Sequence, residues 1–112
     1  MADARDQLKD AQRRIGTFAK ASPELFGGFS KVSKAATAAG SFTAAQKELI
    51  AAAIAVTKGC EDCIVYHLDG ALKHGAKEAD LVEALEVAVE MGGGPSVMYG
   101  AKALEIFRAL QQ

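Results

Sequence analysis

The sequence has no tryptophan, two prolines, two cysteines and two histidines, and only 6% of its 112 residues are aromatic. Two cysteines are too few for a small scaffold stapled by disulfides. Pro23 and Pro95 lie far apart, so long stretches between them carry nothing that forbids a helix. No excess of one charge exists either: the formal net charge is −1. That excludes the electrostatic footprint of a nucleic-acid binder or of a protein that coats anionic membranes. Arg13 and Arg14 stand among acids and read as one solvated helix face. The longest strongly apolar run, Leu49 to Val56, falls well short of the ~20 residues that span a bilayer. The opening MADARDQLKD has no apolar centre, so it does not resemble a secretory signal. A cytoplasmic protein is expected, with no membrane and no nucleic-acid partner. In that compartment two close cysteines point to redox chemistry or metal rather than to a structural staple.

What is present is helical. Half of the residues are apolar, mostly Ala, Leu and Val, and a chain of this length most simply forms one domain, residues 1–112. A first helix is expected from about Ala4 to Lys20, with Leu8, Ala11, Ile15 and Phe18 at helical spacing. Ser22-Pro23 opens a second, with serine at the N-cap and proline at the first helical position. Gly27-Gly28 is expected to break it, and it ends by Gly40. Thr43 and Gln46 form a capping box for a third helix. That helix is apolar on every side from Leu49 to Val56, so burial all round is expected. It ends at Lys58-Gly59. A fourth runs from about Cys60 to His74, a fifth from Lys77 to Met91, and a sixth from Ser96 to Leu110. Short connections between apolar-faced helices imply an all-α bundle of about six helices.

The stretch GCEDCIVYH carries the chemistry. On a helical wheel with Cys60 at zero, Cys63 falls at about 300°, His74 at about 320° and His67 at about 340°. Ile64, Val65, Leu68, Ala71 and Leu72 fill roughly 20° to 140°. Thiols and imidazoles therefore border the core-facing arc. Zinc fits this poorly: Cys60 and His74 are about 21 Å apart along one straight helix, and a Cys60–Cys63–His67 site would need an unwound first turn. A metal cluster shared between subunits stays open. Two small buried residues would be the bland reading of the cysteines. A dithiol fits better. Three residues of separation hold two sulfurs within disulfide reach, and a helix N-terminus favours the thiolate. His67, one turn beyond Cys63, is close enough to move the thiol proton. Folding the third and fourth helices into a hairpin at Lys58-Gly59 brings Glu48 opposite His67, offset by about 3 Å. Glu48–His67–Cys63 then reads as a proton relay, with Glu48 setting the imidazole tautomer. His74, beside Gly75, reads as a helix-end cation, and Tyr66 and Tyr99 as packing residues.

From Lys47 to Gly94 the pattern KELIAAAIAVTKGCEDCIVYHLDGALKHGAKEADLVEALEVAVEMGGG resembles the alkylhydroperoxidase AhpD core, also called the carboxymuconolactone decarboxylase family. The resemblance rests on a glutamate twelve residues before the first cysteine, the C-x-x-C, a histidine four beyond it and the following Gly-helix-Gly. It implies an all-helical fold assembled into homotrimers or homohexamers, and it carries relay roles onto Glu48, Cys60, Cys63 and His67. It also implies thiol-dependent peroxidase activity: one cysteine reduces a hydroperoxide, the second closes a disulfide, and an external dithiol such as a lipoyl group reopens it. Decarboxylases of this fold do not depend on a C-x-x-C pair. One local feature opposes the redox branch: Glu61 and Asp62, between the cysteines, raise a nearby thiol pKa.

The resulting expectation is a homo-oligomeric thiol peroxidase with no cofactor and no metal, a hexamer in preference to a trimer. Cys63 attacks peroxide because His67 is nearest to it. Cys60, nearer the helix start and expected to be the more exposed, resolves the intermediate and meets the reductant. The alternatives are a lactone decarboxylase-like enzyme using Glu48 and His67 as acid and base, and a non-catalytic thiol redox sensor.

Overall fold

A computed structural model describes residues 3–112; the first two residues of the opening MADARDQLKD segment lie outside it. Six α-helices follow one another, and no strand occurs among the described residues: α1 Ala4–Ala21, α2 Pro23–Thr37, α3 Ala44–Lys58, α4 Glu61–Lys73, α5 Glu78–Gly92 and α6 Gly94–Leu110. The all-α reading of the sequence holds.

Local chemistry explains most of the boundaries. The Asp3 side chain accepts from the Arg5 N–H and caps α1. Thr43 and Gln46 make both halves of the capping box at 3.0 and 2.9 Å, satisfying two N–H groups that the first turn of α3 would otherwise leave unpaired. Gly59 closes α3 at φ 68°, a left-handed conformation that glycine adopts without strain. Two boundaries differ from expectation. α2 runs unbroken through Gly27-Gly28, because each helical glycine costs only about 1 kcal/mol and clashes with nothing. α6 begins at Gly94, with Pro95 inside its first turn, where a missing N–H is harmless.

α3 and α4 form the antiparallel hairpin at the centre. α5 and α6 pack against it, α1 lies on α4 and α6, and α2 touches only α1 and α3. Ile64, Val65, Leu68 and Ala71 of α4 are fully buried against Leu49, Ala52 and Val56 of α3, Leu81 of α5 and Phe107 of α6. These four residues occupy the apolar arc of the α4 wheel, and His67 lies beside that arc, where α4 faces α3.

The expectation that α3 is buried all round is not met. Ile50 and Ile54, one turn apart on one face, are 43% and 50% exposed. α2 buries no residue at all. Its Leu25, Phe29 and Val32, spaced i, i+4 and i+7, form an apolar stripe that this chain leaves in solvent. The far half of α1 behaves alike: Ile15 and Phe18 are exposed, with Phe18 meeting Phe26 of α2 edge to face. Periodicity identified apolar faces correctly but not whether this chain covers them.

Candidate active site

The C-x-x-C lies where α4 begins. Cys60 is the N-cap, and its sulfur accepts from the Cys63 N–H at 3.2 Å. The two cysteines are joined as a disulfide with Cα atoms 5.3 Å apart. Their exposure reverses the expected order: Cys60 is half-buried and Cys63 is exposed. The N-cap position explains this. As the N-cap, Cys60 turns its sulfur back onto the first-turn N–H of Cys63, while Cys63 itself lies in the first turn at the protein surface.

Glu48 of α3 reaches across the hairpin to His67 of α4, Oε2 to Nδ1 at 2.7 Å. Both side chains are mostly shielded, with 13% of Glu48 and 26% of His67 exposed. An ionised carboxylate can only accept, so Nδ1 carries the proton and Nε2 keeps a free lone pair when the imidazole is neutral. His67 is also one turn along α4 from Cys63, on the same stripe. The Tyr66 ring, half exposed rather than packed, stands edge-on to the imidazole at 5.3 Å. His74 caps the C-terminus of α4 in solvent, away from this group.

The two acids between the cysteines do not stand alone. Asp62 accepts from Arg14 of α1 at 2.9 Å, and Glu61 accepts from Lys102 of α6 at 2.5 Å. The Glu61 hydrogen bond raises the pKa of the Lys102 ammonium from its ordinary value. Each carboxylate is therefore paired with a cation from another helix, which reduces the negative field that the sequence alone placed between the cysteines. Arg14 is thus more than part of a solvated face. Neither partner was legible beforehand, because both pairs join residues far apart in sequence on different helices. A cleft of about 720 Å³ opens beside these pairs between α1 and α6, with Arg5, Arg14, Glu61, Lys102 and Ile106 in its wall. Neither cysteine, Glu48 nor His67 lines it. Among the described residues no three His, Cys, Asp or Glu side chains are placed to share a metal ion, and no helix is long and apolar enough to cross a membrane.

The carboxymuconolactone decarboxylase family model matches residues 23–105, a span that includes α2 and the whole site. An uncharacterised protein of Cupriavidus necator is 47% identical over 108 residues, covering 96% of each chain. Uncharacterised protein 4 in the cox locus of Paracoccus denitrificans is 33% identical over 106 residues, covering 95% of this chain and 94% of its own. The crystal structure of apo-lpg0406, a carboxymuconolactone decarboxylase family protein from Legionella pneumophila, superposes with a TM-score of 0.92 at 43% identity, covering 97% of each chain.

Proposed function

The chain belongs to the carboxymuconolactone decarboxylase family, a family of enzymes, and we propose that within it this protein is a thiol peroxidase that reduces hydroperoxides through Cys60 and Cys63. The carrying observation is the Glu48–His67 pair at 2.7 Å on the same helix stripe as a joined C-x-x-C. A decarboxylase would use the acid–base pair but has no work for a dithiol.

In the proposed cycle Nε2 of His67 takes the Cys63 proton. The thiolate attacks the terminal peroxide oxygen. An S–O bond forms, the O–O bond breaks, and the alkoxide takes the proton held on His67 to leave as an alcohol. Cys60 then attacks the sulfenic sulfur, closing the disulfide and releasing water. An external dithiol, of lipoyl type, supplies the two electrons that reopen it. Because Cys63 is the exposed sulfur, it is the one the reductant reaches, contrary to the order expected from sequence. Cys60 then leaves as a thiolate stabilised by the Cys63 N–H and the α4 N-terminus.

Reduced protein treated with an equivalent of tert-butyl hydroperoxide should lose two hydrogens by mass spectrometry, and dihydrolipoamide should restore them through many turnovers. Cys63→Ser should abolish both. Persistent free thiols would refute the peroxidase. Oxidation that occurs once, without turnover, would favour a redox sensor. Lactone decarboxylation that survives loss of both cysteines would favour the acid–base enzyme.

The active form in this proposal is a homo-oligomer. The stripe Leu25–Phe29–Val32, the pair Ile50 and Ile54, and an apolar groove between α5 and α6 lined by Val82, Val89, Val97 and Leu104 are unburied in one chain. A second copy is the occupant that a closed, symmetric assembly would bring to them. Light scattering at micromolar concentration should give six times the chain mass; a threefold mass would mean the trimer, and a monomer would refute the assembly. Phe29→Ser should lower the mass while leaving each chain helical.

A further inference from the structure

We propose that Gly70 is a positioning residue for the Glu48–His67 pair, and that its missing side chain is the slot the Glu48 carboxylate occupies. The value of that slot depends on the acid–base function proposed for the pair. A Cβ at Gly70 would lie 2.8 Å from Glu48 Oε2, 3.1 Å from Cδ and 3.5 Å from Cγ. Oε2 is the same oxygen that accepts from His67 Nδ1. Gly70 and His67 are three residues apart on α4, so they present one face to α3. The pair is therefore held from two sides: the imidazole grips the carboxylate, and the bare glycine backbone lets it come that close.

Nothing in the backbone requires glycine here. Gly70 lies inside α4, and the glycines with positive φ among the described residues are Gly59, Gly75 and Gly93. A helix interior favours alanine over glycine at such a position. Gly16, Gly27, Gly28 and Gly100, also inside helices, have no atom beyond their own helix backbone and chain neighbours within 4 Å of an added Cβ, and Gly92, the last residue of α5, would meet the Ser96 side chain instead of any site residue. Gly70 differs from all of them in what it meets, since each of the three atoms nearest its absent Cβ belongs to Glu48. A contact of 2.8 Å is too short for carbon and one of 3.1 Å is tight, so an alanine must push the carboxylate aside by at least a few tenths of an ångström. The atom that must yield first is Oε2, the oxygen that accepts from His67.

The test uses the full chain. In Gly70→Ala the helix should melt at or above the wild-type temperature, because alanine suits the helix. Peroxide oxidation of the reduced protein should nevertheless slow to the level of Glu48→Gln, on the order of 10²-fold for a misplaced catalytic group. In a Glu48→Gln background Gly70→Ala should slow it no further, since glycine acts only through that carboxylate. Nitrogen NMR of the imidazole supplies a readout that needs no peroxide. The wild type should show the proton on Nδ1, and both Gly70→Ala and Glu48→Gln should shift neutral His67 toward the Nε2–H tautomer. If the tautomer moves but no form turns over peroxide, the positioning role stands and the peroxidase falls. If Gly70→Ala keeps the wild-type tautomer, the positioning role is overturned. Should Gly70→Ala fold poorly, Glu48→Ala/Gly70→Ala must regain the lost melting temperature, because the added methyl then meets no carboxylate. Failure to regain it also overturns the proposal.

Discussion

His67→Ala is expected to slow the peroxide oxidation of Cys63 by about 10²–10⁴-fold at neutral pH, the usual worth of a positioned general base. The direction follows from the hydrogen bond at Nδ1. With Glu48 accepting that proton, the free lone pair is on Nε2, and in the proposed cycle the imidazole serves as a base without having to change tautomer. Removing the ring removes the base and leaves Glu48, only 13% exposed, without its donor. That second effect costs about 1–3 kcal/mol of stability, so His67→Gln, which returns a donor without a base, is the companion variant. The pH profile separates chemistry from structure. Above an ordinary thiol pKa of ~8.5 the thiolate forms unaided, and the wild-type and His67→Ala rates should converge. A deficit that persists unchanged at high pH would assign His67 to packing. Glu48→Gln should act in the same direction with a smaller effect, since the base remains but its tautomer is no longer held.

The same pair shows what the sequence could reveal and what it could not. Glu48 and His67 are nearly equidistant from Gly59, and a hairpin folded at a left-handed glycine brings such residues together. Capping at Thr43 and the apolar arc of α4 were equally legible, because each follows from contacts within a few residues. Arg14–Asp62 and Lys102–Glu61 were not, since nothing local distinguishes one exposed cation from another on α1 or α6. Ile50 and Ile54 were read as buried because apolar periodicity records that a face needs cover, not which chain supplies it. The exposure order of the cysteines turned on whether Cys60 begins the helix or caps it, a difference of one residue that places its sulfur under the turn instead of outside it. Gly70 did leave a signal. A glycine in the middle of an otherwise good helix, on the stripe that holds Cys63 and His67, costs about 1 kcal/mol and calls for a reason.

Phe107→Ala is expected to cost about 3–5 kcal/mol, the range for emptying a buried aromatic site. Phe107 is the largest fully buried side chain, at 0% exposure, and it joins α6 to the cluster that includes Leu68 and Ile64 of α4 and Leu81 of α5. Against a typical domain stability of about 5–15 kcal/mol such a loss is large. Denaturant unfolding should show a lower midpoint at an unchanged slope, measured at one protomer concentration because assembly adds stability by mass action. Phe29→Ser gives the contrast. Phe29 is 63% exposed, so its loss should alter mass far more than the stability of one chain. The two phenylalanines thus separate the core that this chain builds alone from the exposed apolar surface proposed to meet a second copy. A change below about 1 kcal/mol for Phe107→Ala, the level of an ordinary surface substitution, would mean that α6 is not held by the core. The consequence would reach the site, because α6 carries Lys102 onto Glu61 beside the cysteines. Loosening α6 frees that carboxylate to oppose the thiolate, so Phe107→Ala should also slow the residual oxidation of protein that remains folded.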